Sequence, residues 1–468
     1  MIADLELYPA YKDSGSSWLA RVPTHWEVRA LRTLIRPRNE RNRADLPLLS
    51  VAREKGVFVR SMTDASENHN VIPLDLSNYK VARAGALVIN KMKAWQGSMG
   101  IAPCDGIVSP AYYVYDFDIA NGKFGQALLR SKPYVAHFGQ ASDGVRVGQW
   151  DLTIAAMRQI PVLLPPPEEQ AAIVRFLDWA NARLERTIRA KRRVIALLTE
   201  QKQAIIHRAV TRGLDPAAPL KPSGIAWLGD IPAHWGTLRS KHLFSARKDF
   251  ALPDDVQLSA TQSYGVIPQS EYEDKVGRRV VKIFMHLEKR RHVERDDFVI
   301  SMRSFQGGLE RAWASGAIRS SYVVLKPSSG VNVEFFAYLF KSQGYIGALQ
   351  STAEFIRDGQ DLNYGNFCRV DLPLIPLEEQ RAIAKYIARA TIGLDKENVR
   401  LTHEIDLLRE YRTRLVADVV TGKLDVRAAA AALPQDELPS TTEAGALNAD
   451  DDLDTLDESE PNDEETAA

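Results

Sequence analysis

The sequence has little cysteine, no long apolar run and no basic leader, and each absence excludes a class of protein. Two cysteines, Cys104 and Cys368, occur in 468 residues, which excludes a disulfide framework and favours free thiols in a reducing compartment. No apolar run approaches the roughly 18 residues of a membrane-spanning helix. The start, MIADLELYPAYKD, lacks the basic flank and apolar stretch of a secretory signal. We therefore expect a cytoplasmic protein that does not enter a membrane.

The formal net charge of zero conceals a strong asymmetry. Residues 434–468 carry 13 acidic and no basic side chains, so the rest of the chain sets 60 Lys and Arg against 47 Asp and Glu, a net charge of +13. A segment this acidic and this poor in large apolar residues is expected to be a disordered tail. It is either simply solvated or competes with nucleic acid for the basic body.

The chain contains two copies of one module, about 210 residues apart. Residues 12–26 are KDSGSSWLARVPTHW and residues 221–235 are KPSGIAWLGDIPAHW. Nearly the same offset relates further pairs: Leu49-Ser50 and Leu258-Ser259, Met92 and Met302, Gln96-Gly97 and Gln306-Gly307, Gly106 and Gly316, Tyr112 and Tyr322, Glu168-Glu169-Gln170 and Glu378-Glu379-Gln380. Such internal symmetry suits a target that also has two related halves.

Each copy combines a mixed globular part with a long helix. The segments GALVINKMKAW, DGIVSPAYYVYDF, DDFVISMRSF and AIRSSYVVLKP have the branched and aromatic residues typical of strands. Segments near 123–140 and 333–350 are predicted to be short helices. Proline clusters then precede Glu168-Glu169 and Glu378-Glu379, whose negative charge complements the dipole at a helix N-terminus. The fold class is therefore α+β, with two similar domains and two long helices.

Both long helices have a seven-residue repeat of apolar residues, which indicates a coiled coil. The seam residues of the first helix are Leu177, Leu184, Ile188, Ile195, Leu198 and Ile205, and those of the second are Ile387, Leu394, Leu401, Ile405, Leu408 and Leu415. Only about a dozen residues separate the end of the first helix, near Gly213, from Trp227 of the second module. At ~1.5 Å per residue, a 40-residue helix spans about 60 Å. Only an antiparallel pair is compatible with so short a connection.

The motifs of nucleotide, methyl-donor and metal chemistry are missing. The sequence has no GxxxxGK[ST] loop, no GxGxxG between strand and helix, and no HExxH or paired CxxC. It also lacks an Asn-Pro-Pro-aromatic or Asp-Pro-Pro-aromatic motif. One string, Pro253-Asp254 followed by Glu273-Asp274-Lys275, fits a loose PD…ExK pattern. A self-contained metal-dependent nuclease using Asp254, Glu273 and Lys275 is therefore kept as the alternative hypothesis.

Basic, aromatic and amide residues recur at one place in each module and suit DNA binding. Lys and Arg bind phosphates, and Gln or Arg can contact base edges in a bidentate manner. The candidates are Lys91, Lys93, Trp95, Gln96, Arg146, Gln149, Arg303, Phe305, Gln306, Arg319, Arg357, Gln360 and Asn363. Trp95 and Phe305 could instead pack in a core, and Met92 and Met302 are expected to do so. The tryptophans of the repeated WLxxxPxHW motif are expected to be structural.

On these motifs, residues 1 to about 427 resemble the specificity subunit of type I restriction–modification systems. The residues that carry the resemblance are SGxxWLxxxPxHW in each module, NKMKAWQGSMG and SMRSFQGGLE inside them, and PPPEEQAAIVRFLD and IPLEEQRAIAKYIA at the helix starts. The second module departs from the first where Ser109-Pro110-Ala111-Tyr112 becomes Arg319-Ser320-Ser321-Tyr322. That difference is expected if the two modules contact different bases.

The resemblance implies a domain order and a division of labour. The implied domains are target-recognition domain 1 at 1–165, conserved helix 1 at 166–215, target-recognition domain 2 at 216–375, conserved helix 2 at 376–427, and the acidic tail at 428–468. The chain itself would hold no cofactor or metal and would catalyse no reaction. It would bind double-stranded DNA and two modification subunits, which methylate adenine with S-adenosylmethionine. Motor–nuclease restriction subunits would join the complex and use ATP and Mg²⁺.

Overall fold

The chain forms two compact units in the computed structural model. The first unit comprises residues 1–191 and 403–468, and the second comprises residues 192–402. The structure describes residues 5–19, 21–60, 75–144, 150–277, 279–280, 289–301, 304–352 and 363–434. Within that part of the chain, no helix is both long and apolar enough to cross a membrane, and the two cysteine thiols are free.

In its described part, the first half of the chain contains short strands, three short α-helices and one long helix. The strands are β1 Tyr11–Asp13, β2 Arg21–Pro23, β3 Glu27–Ala30, β4 Ile35–Pro37, β5 Leu49–Ala52, β6 Gly56–Val59, β7 Lys80–Ala82, β8 Leu87–Asn90, β9 Met99–Ile101, β10 Gly106–Val108, β11 Tyr112–Phe117, β12 Ser142–Asp143, β13 Asp151–Leu152 and β14 Pro161–Leu164. The helices are α1 Gly122–Leu129, α2 Lys132–Gln140, α3 Ile154–Met157 and α4 Pro167–Arg212, with 3-10 turns at Leu31–Thr33 and Ala94–Gln96.

The second half repeats this order with small changes. Its strands are β15 Leu220–Pro222, β16 Asp230–Pro232, β17 Gly236–Arg239, β18 Phe244–Arg247, β19 Leu258–Thr261, β20 Gly265–Pro268, β21 Arg291–Val293, β22 Phe298–Ile300, β23 Glu310–Arg311, β24 Gly316–Ile318, β25 Val323–Pro327 and β26 Asp371–Leu374. Its helices are α5 Gln269–Val276, α6 Ser304–Gly307, α7 Val333–Phe340, α8 Gln343–Gln350, α9 Tyr364–Arg369, α10 Leu377–Val420 and α11 Arg427–Ala431, with a 3-10 turn at Ser240–His242.

Each unit is built around a four-stranded antiparallel sheet with matching topology. The strand order is β4-β11-β8-β9 in the first unit and β18-β25-β22-β23 in the second. The central strand β8 has four buried residues, Leu87–Asn90, and its counterpart β22 has three, Phe298–Ile300. Branched and aromatic residues suit a pleated surface that is covered on both faces. The mixed helix and strand composition confirms the predicted α+β fold class.

The residues predicted to form the seam of the two long helices are buried or half-buried. Leu177, Leu184 and Ile188 on α4 are buried, and so are Leu401 and Leu415 on α10. The remaining predicted seam residues are at least half-buried: Ile195, Leu198, Ile205, Ile387, Leu394, Ile405 and Leu408. A stripe of this period is what a helix presents to a partner helix.

Ion pairs show the direction of helix pairing inside the first unit. In the first unit, Arg412 pairs with Glu185 at 3.2 Å, and Lys191 pairs with Glu404 at 2.5 Å. Moving towards the C-terminus on α4 therefore means moving towards the N-terminus on α10, which makes the pairing antiparallel. In the second unit, Lys202 of α4 pairs with Asp395 of α10 at 2.5 Å.

The predicted start of the acidic tail at residue 428 is too early. Residues Arg427–Ala431 form α11, and Ala430 and Leu433 are buried in the core of the first unit. The carbonyl of Leu433 accepts a hydrogen bond from Arg175 of α4 at 2.8 Å. The alanine-rich composition favours helix, and burial of Leu433 adds the tertiary contact that anchors it. Residues 435–468 lie outside the described part of the chain.

Candidate nucleic-acid interface

The repeated tryptophan motif and the repeated EEQ motif meet around one buried carboxylate in the first unit. Glu169, in the first turn of α4, is 4% exposed. It accepts hydrogen bonds from the Tyr8 hydroxyl at 2.7 Å and from the Trp26 indole at 2.9 Å. His25 lies 2.7 Å from its other oxygen. The motif therefore holds the globular part on its helix, and the expectation that Trp26 is structural is confirmed.

The second unit repeats this anchor with fewer contacts. His234 lies 2.8 Å from Glu379 at the start of α10, and Trp235 is fully buried. Among the described residues, however, the indole N–H of Trp235 has no hydrogen-bond partner. By the register of the repeat, Ala217 stands where the first unit has Tyr8. The Glu169 and Glu379 sites therefore have equivalent tryptophan and histidine residues, but fewer polar atoms are hydrogen-bonded at the Glu379 site.

The glutamine of each EEQ motif ties the long helix to a short one. Gln170 accepts a hydrogen bond from the backbone N–H of Asn121 at 3.0 Å, and Gln380 accepts one from Asn332 at 2.7 Å. Asn121 and Asn332 are the N-cap residues of α1 and α7, and Asn is among the preferred N-caps. The most strongly repeated residues of this sequence therefore build the scaffold.

The predicted DNA-binding residues of the first module lie in the loop that follows β8. Lys91 donates to Asp151 at 2.8 Å, and this hydrogen bond raises the pKa of the Lys91 ammonium. Lys93 is exposed, and Gln96 is half-exposed. Gly97 ends the loop's 3-10 turn with φ +89°, a conformation that favours glycine, and a Cβ there would lie 3.1 Å from Val135. Backbone geometry thus explains the glycine of the Gln-Gly pair in the first module.

Two indoles form the aromatic part of this loop. Trp95 is half-buried and packs edge-on against Trp150, with ring centroids 5.1 Å apart. Its indole N–H donates to the carbonyl of Met92 at 3.1 Å. The expectation that Met92 packs in a core is wrong, because its side chain is 48% exposed. The loop turns outward after β8, so the residue next to Lys91 faces solvent.

The equivalent loop of the second module carries α6. Phe305 is half-buried against the core of the second unit, and its carbonyl accepts a hydrogen bond from Gln350 at 2.6 Å. Gln306 is exposed. Met302 and the predicted site residue Arg303 lie outside the described residues. The two modules thus present an aromatic residue followed by a glutamine at corresponding positions.

Basic residues collect at the same end of the first sheet as the loop. Asn90, the last residue of β8, pairs with Tyr112, the first residue of β11. The ammonium of Lys80, at the start of β7, donates to the carbonyl of Tyr112 at 2.6 Å. Burial and the charges of Arg41 and Lys91 lower the pKa of Lys80. Lys80 and Arg41 were not among the predicted site residues, since neither belongs to a repeated motif.

The second module has two arginines at the facing ends of β21 and β24, which form a two-stranded sheet of their own. Ile300, the last residue of β22, pairs with Val323 of β25, and Arg319 follows the end of β24 a few residues earlier in the chain. Arg319 is exposed, whereas Arg290, just before β21, is 8% exposed. Arg290 was not predicted, although the basic run Lys289-Arg290-Arg291-His292 is a signal that could have found it.

The remaining predicted site residues are less informative. Four of them, Arg146, Gln149, Arg357 and Gln360, lie outside the described residues. Asn363 is the N-cap of α9, and its side chain accepts a hydrogen bond from the backbone of Asn366 at 3.1 Å. Its amide oxygen is therefore engaged in capping. Whether any of the predicted residues contacts a base stays a prediction.

The nuclease-like string does not converge on one point. Glu273 and Lys275 lie two residues apart on α5, and side chains at that spacing do not face each other on a helix. Glu273 accepts a hydrogen bond from the Val280 backbone at 2.8 Å, and Lys275 lies over the ring of Tyr264. Within the described ranges, no group of three or more His, Cys, Asp or Glu residues is placed to hold a metal ion.

Comparison with known structures defines the class of the fold. One matched chain belongs to a structure of the complex assembly and conformational transition of the type I R-M system; it is 16% identical, with a TM-score of 0.56, and the match covers 86% of this chain and 99% of that one. A crystal structure of the HsdS subunit from Thermoanaerobacter tengcongensis is also 16% identical, with a TM-score of 0.42 over 86% and 98% of the two chains. The first match shows that the fold is that of a type I restriction–modification chain.

The sequence comparison points to a particular subunit. The chain is 23% identical over 288 residues to the "Putative type I restriction enzyme MjaX specificity subunit" of Methanocaldococcus jannaschii. That match covers 60% of this chain and spans 63% of the relative's length. No protein-family model matches the chain. The resemblance to type I specificity subunits that the repeated motifs suggested is confirmed.

Proposed function

We propose that this chain is the DNA sequence-specificity subunit of a type I restriction–modification complex. One observation carries the proposal. Each unit has its own copy of the sheet and of the glutamate anchor at the start of a long helix. The two modules differ in their basic residues, which include Lys80 and Lys91 in the first module and Arg290 and Arg319 in the second. A scaffold that repeats while one polar surface changes is suited to two related but unequal half-sites.

The proposed target is bipartite and asymmetric, with each module contacting one half. The basic body, with its net charge of +13 outside the tail, contacts phosphates, and side chains of the variable loops contact base edges. The antiparallel helices set the length of the gap between the half-sites. The repeat, the helix lengths of 46 and 44 residues and the ion pairs between the helices support this arrangement.

The chemistry is assigned to partner subunits. Two modification subunits bind this chain and methylate adenine with S-adenosylmethionine, and motor–nuclease subunits use ATP and Mg²⁺ to translocate and cut unmodified DNA in the cytoplasm. The chain itself is non-catalytic and binds no cofactor. The support for this assignment is the similarity to a curated specificity subunit and the absence of nucleotide and methyl-donor motifs in the sequence.

Sequencing of methylated adenines in cells tests the proposed function. Cells that express the chain with its modification subunits should gain one split, asymmetric methylated motif. Cells that express the modification subunits alone should gain none. Replacing residues 216–375 with the corresponding domain of another specificity subunit should change one half of the motif and leave the other half unchanged. A change in both halves would contradict the assignment of one half-site to each module.

A salt titration tests the mode of binding. With roughly 6–10 phosphate contacts, affinity for duplex DNA should fall on the order of 10³-fold or more between about 50 and 200 mM salt. The assembled complex with modification subunits is the form to measure. An affinity that does not change with salt would contradict binding through phosphates. Cutting of plasmid by the purified chain with Mg²⁺ alone would instead favour the nuclease alternative.

A further inference from the structure

Three large apolar side chains are exposed within one short segment of the second unit. Phe250, Leu252 and Val256 are 58%, 58% and 52% exposed, and all three lie between β18 and β19. Single exposed apolar residues are ordinary on a protein surface, whereas several close together mark a binding surface. The position of the segment in the fold indicates what it binds.

The segment leaves the four-stranded sheet at the end that also carries the loop with α6. β18 ends at Arg247, opposite Val324, and β22 ends at Ile300, opposite Val323. The segment that carries Phe250 and the loop that follows β22 therefore depart from the same end. Only β25 separates β18 from β22 in the sheet, so the two chains leave it roughly 10 Å apart. That distance fits within the major groove of DNA, which is about 12 Å wide.

An arginine holds one face of the Phe250 ring. The Arg291 guanidinium lies 5.1 Å from the ring centroid, and its Nη1 donates to the carbonyl of Lys248 at 3.1 Å. Phe250 is nevertheless 58% exposed, so the opposite face and the edge of the ring are open to solvent. A side chain that inserts between two base pairs contacts a base on each face. A ring with one face covered is better suited to contact a single base.

Positive charge adjoins the ring. Arg291 lies over it, and Lys248, two residues before Phe250, is exposed. The intervening carboxylate, Asp249, pairs with Arg247 at 3.2 Å. Cations beside an exposed ring are typical of a DNA-binding surface, since the cations bind phosphates while the apolar side chain contacts a base.

The first module carries cations where the second carries these apolar residues. With the 209-residue offset of the repeat, Arg41 corresponds to Phe250 and Arg43 corresponds to Leu252. The equivalent strand β4 also ends at the loop end of its sheet. Cations suit phosphates and guanine, whereas apolar side chains suit the 5-methyl group of thymine. The two modules therefore present different chemistry from equivalent places.

We infer that Phe250 contacts the 5-methyl group of a thymine in the half-site bound by the second module. The inference rests on the proposed function and names a residue that determines part of its sequence specificity. Among the four unmodified bases, thymine alone has a methyl group in the major groove. Arg291 fixes the ring for this contact, and Leu252 adds apolar surface next to it. Burial of one methyl group corresponds to an affinity gain of about 4-fold.

Replacing thymine with uracil in the target tests the contact, because the two bases differ only by this methyl group. The complex of the full-length chain with its modification subunits is titrated with duplexes that carry the methylated motif. Each dT of the second module's half-site is changed in turn to dU. One such change should weaken binding by the wild type about 4-fold. Phe250→Ala, and Phe250→Arg with the first module's residue, should bind the dT and dU duplexes equally.

Trp313 provides a matched control. It is 47% exposed, and Arg311 lies 4.3 Å from its ring centroid. Because Arg311 pairs with Phe298, the first residue of β22, Trp313 lies beyond the opposite end of the sheet from Phe250. Trp313→Ala should therefore keep the wild-type response to dU. A change to dU in the first module's half-site should affect the wild type and Phe250→Ala equally.

The outcomes separate the methyl contact from the proposed function. If dU has no effect anywhere in the second module's half-site, or if that half-site contains no thymine, the contact is wrong while the proposed function stands. An equal response to dU in the wild type and Phe250→Ala would assign the methyl group to another residue and overturn the inference. If the wild type does not distinguish its motif from unrelated duplexes, the proposed function fails, and the inference fails with it.

Discussion

At the scale of single residues, two corresponding glutamates have unequal importance. Glu169 is buried and satisfies three side-chain donors, from Tyr8, His25 and Trp26. Glu379 has a side chain that is 28% exposed and contacts His234. A buried donor that loses its acceptor costs the full desolvation penalty of that group. The second glutamate of the EEQ motif is therefore expected to contribute differently to stability in the two units.

Replacing each glutamate with alanine tests this difference. Glu169→Ala should destabilise the first unit by on the order of 3 kcal/mol or more, because it leaves several donors unpaired in a buried site. Glu379→Ala should cost about 1 kcal/mol or less. Urea denaturation followed by tryptophan fluorescence measures both. Equal losses from the two substitutions would contradict the unequal burial of the two carboxylates.

A second residue-scale difference concerns a buried acid. Glu310 of β23 is 2% exposed and pairs with Lys341. Burial raises the pKa of Glu310 to about 7, although the charge of Lys341 acts in the opposite direction. The first module has Gly100 at this position, and Arg130, which corresponds to Lys341, donates instead to the carbonyls of Arg53 and Glu54 at 2.6 Å.

Because the folded pKa of Glu310 lies above its ordinary value, the native state holds this proton more tightly than the unfolded state. Its contribution to stability is therefore fully present below pH ~4.5 and is lost as pH rises to about 7. Glu310→Gln should remove a pH dependence on the order of 3 kcal/mol between those limits. Unfolding free energies of both proteins from pH 5 to 8 measure it. Parallel curves for wild type and variant would refute the raised pKa.

At the scale of elements, the helix pair is stabilised by apolar seam residues and oriented by ion pairs. Leu401 is 5% exposed, whereas Val399, two residues earlier on the same helix, is 71% exposed. Lys202 and Asp395 are both partly exposed, and such pairs contribute little to stability. The seam therefore provides most of the energy, and the charges select the antiparallel register.

Placing a charge in the seam tests this division. Leu401→Asp should cost about 3 kcal/mol or more, because it buries an unpaired carboxylate. Val399→Asp is the control and should cost less than about 0.5 kcal/mol. Circular dichroism during thermal unfolding measures both. Intact stability of Leu401→Asp would contradict the seam, and a comparable loss in the control would show that a charge anywhere on α10 is harmful.

At the scale of the whole molecule, the repeat means that α4 and α10 carry residues at equivalent positions. Within the first unit Glu185 pairs with Arg412, and within the second Lys202 pairs with Asp395. With the 210-residue offset of the repeat, Arg412 of α10 corresponds to Lys202 of α4, and Asp395 corresponds to Glu185. A second copy of residues 1–215 could therefore supply the partner helix, with Glu185 and Lys202 pairing twice.

We predict that residues 1–215 form a two-fold symmetric dimer that is weaker than the pairing in the full chain. Weakening is expected because Lys191 would face Val194 in place of Glu404, its present partner. Lys202→Glu should dissociate the dimer by opposing Glu185, and Lys202→Glu with Glu185→Lys should restore it. Light scattering during gel filtration gives the masses. A dimer that is indifferent to both variants would show that another surface mediates the association.

The sequence by itself determined the repeat, the α+β class, the extent of the helices and their antiparallel pairing. Each of these follows from local periodicity or from the length of a connection, which neighbouring residues encode. It also placed Trp95 and Phe305 in equivalent loops. It could not place Met92, because the direction in which a loop turns after β8 is set by packing elsewhere.

Only the tertiary structure decided which groups meet. Tyr8 and Glu169 are 161 residues apart, and nothing local to either residue indicates the other. The facing arginines Arg290 and Arg319 come from separate strands, so their proximity depends on the register of β21 and β24. Burial and pairing are properties of distant segments brought together, and the differences in pairing between the two modules arise at that level.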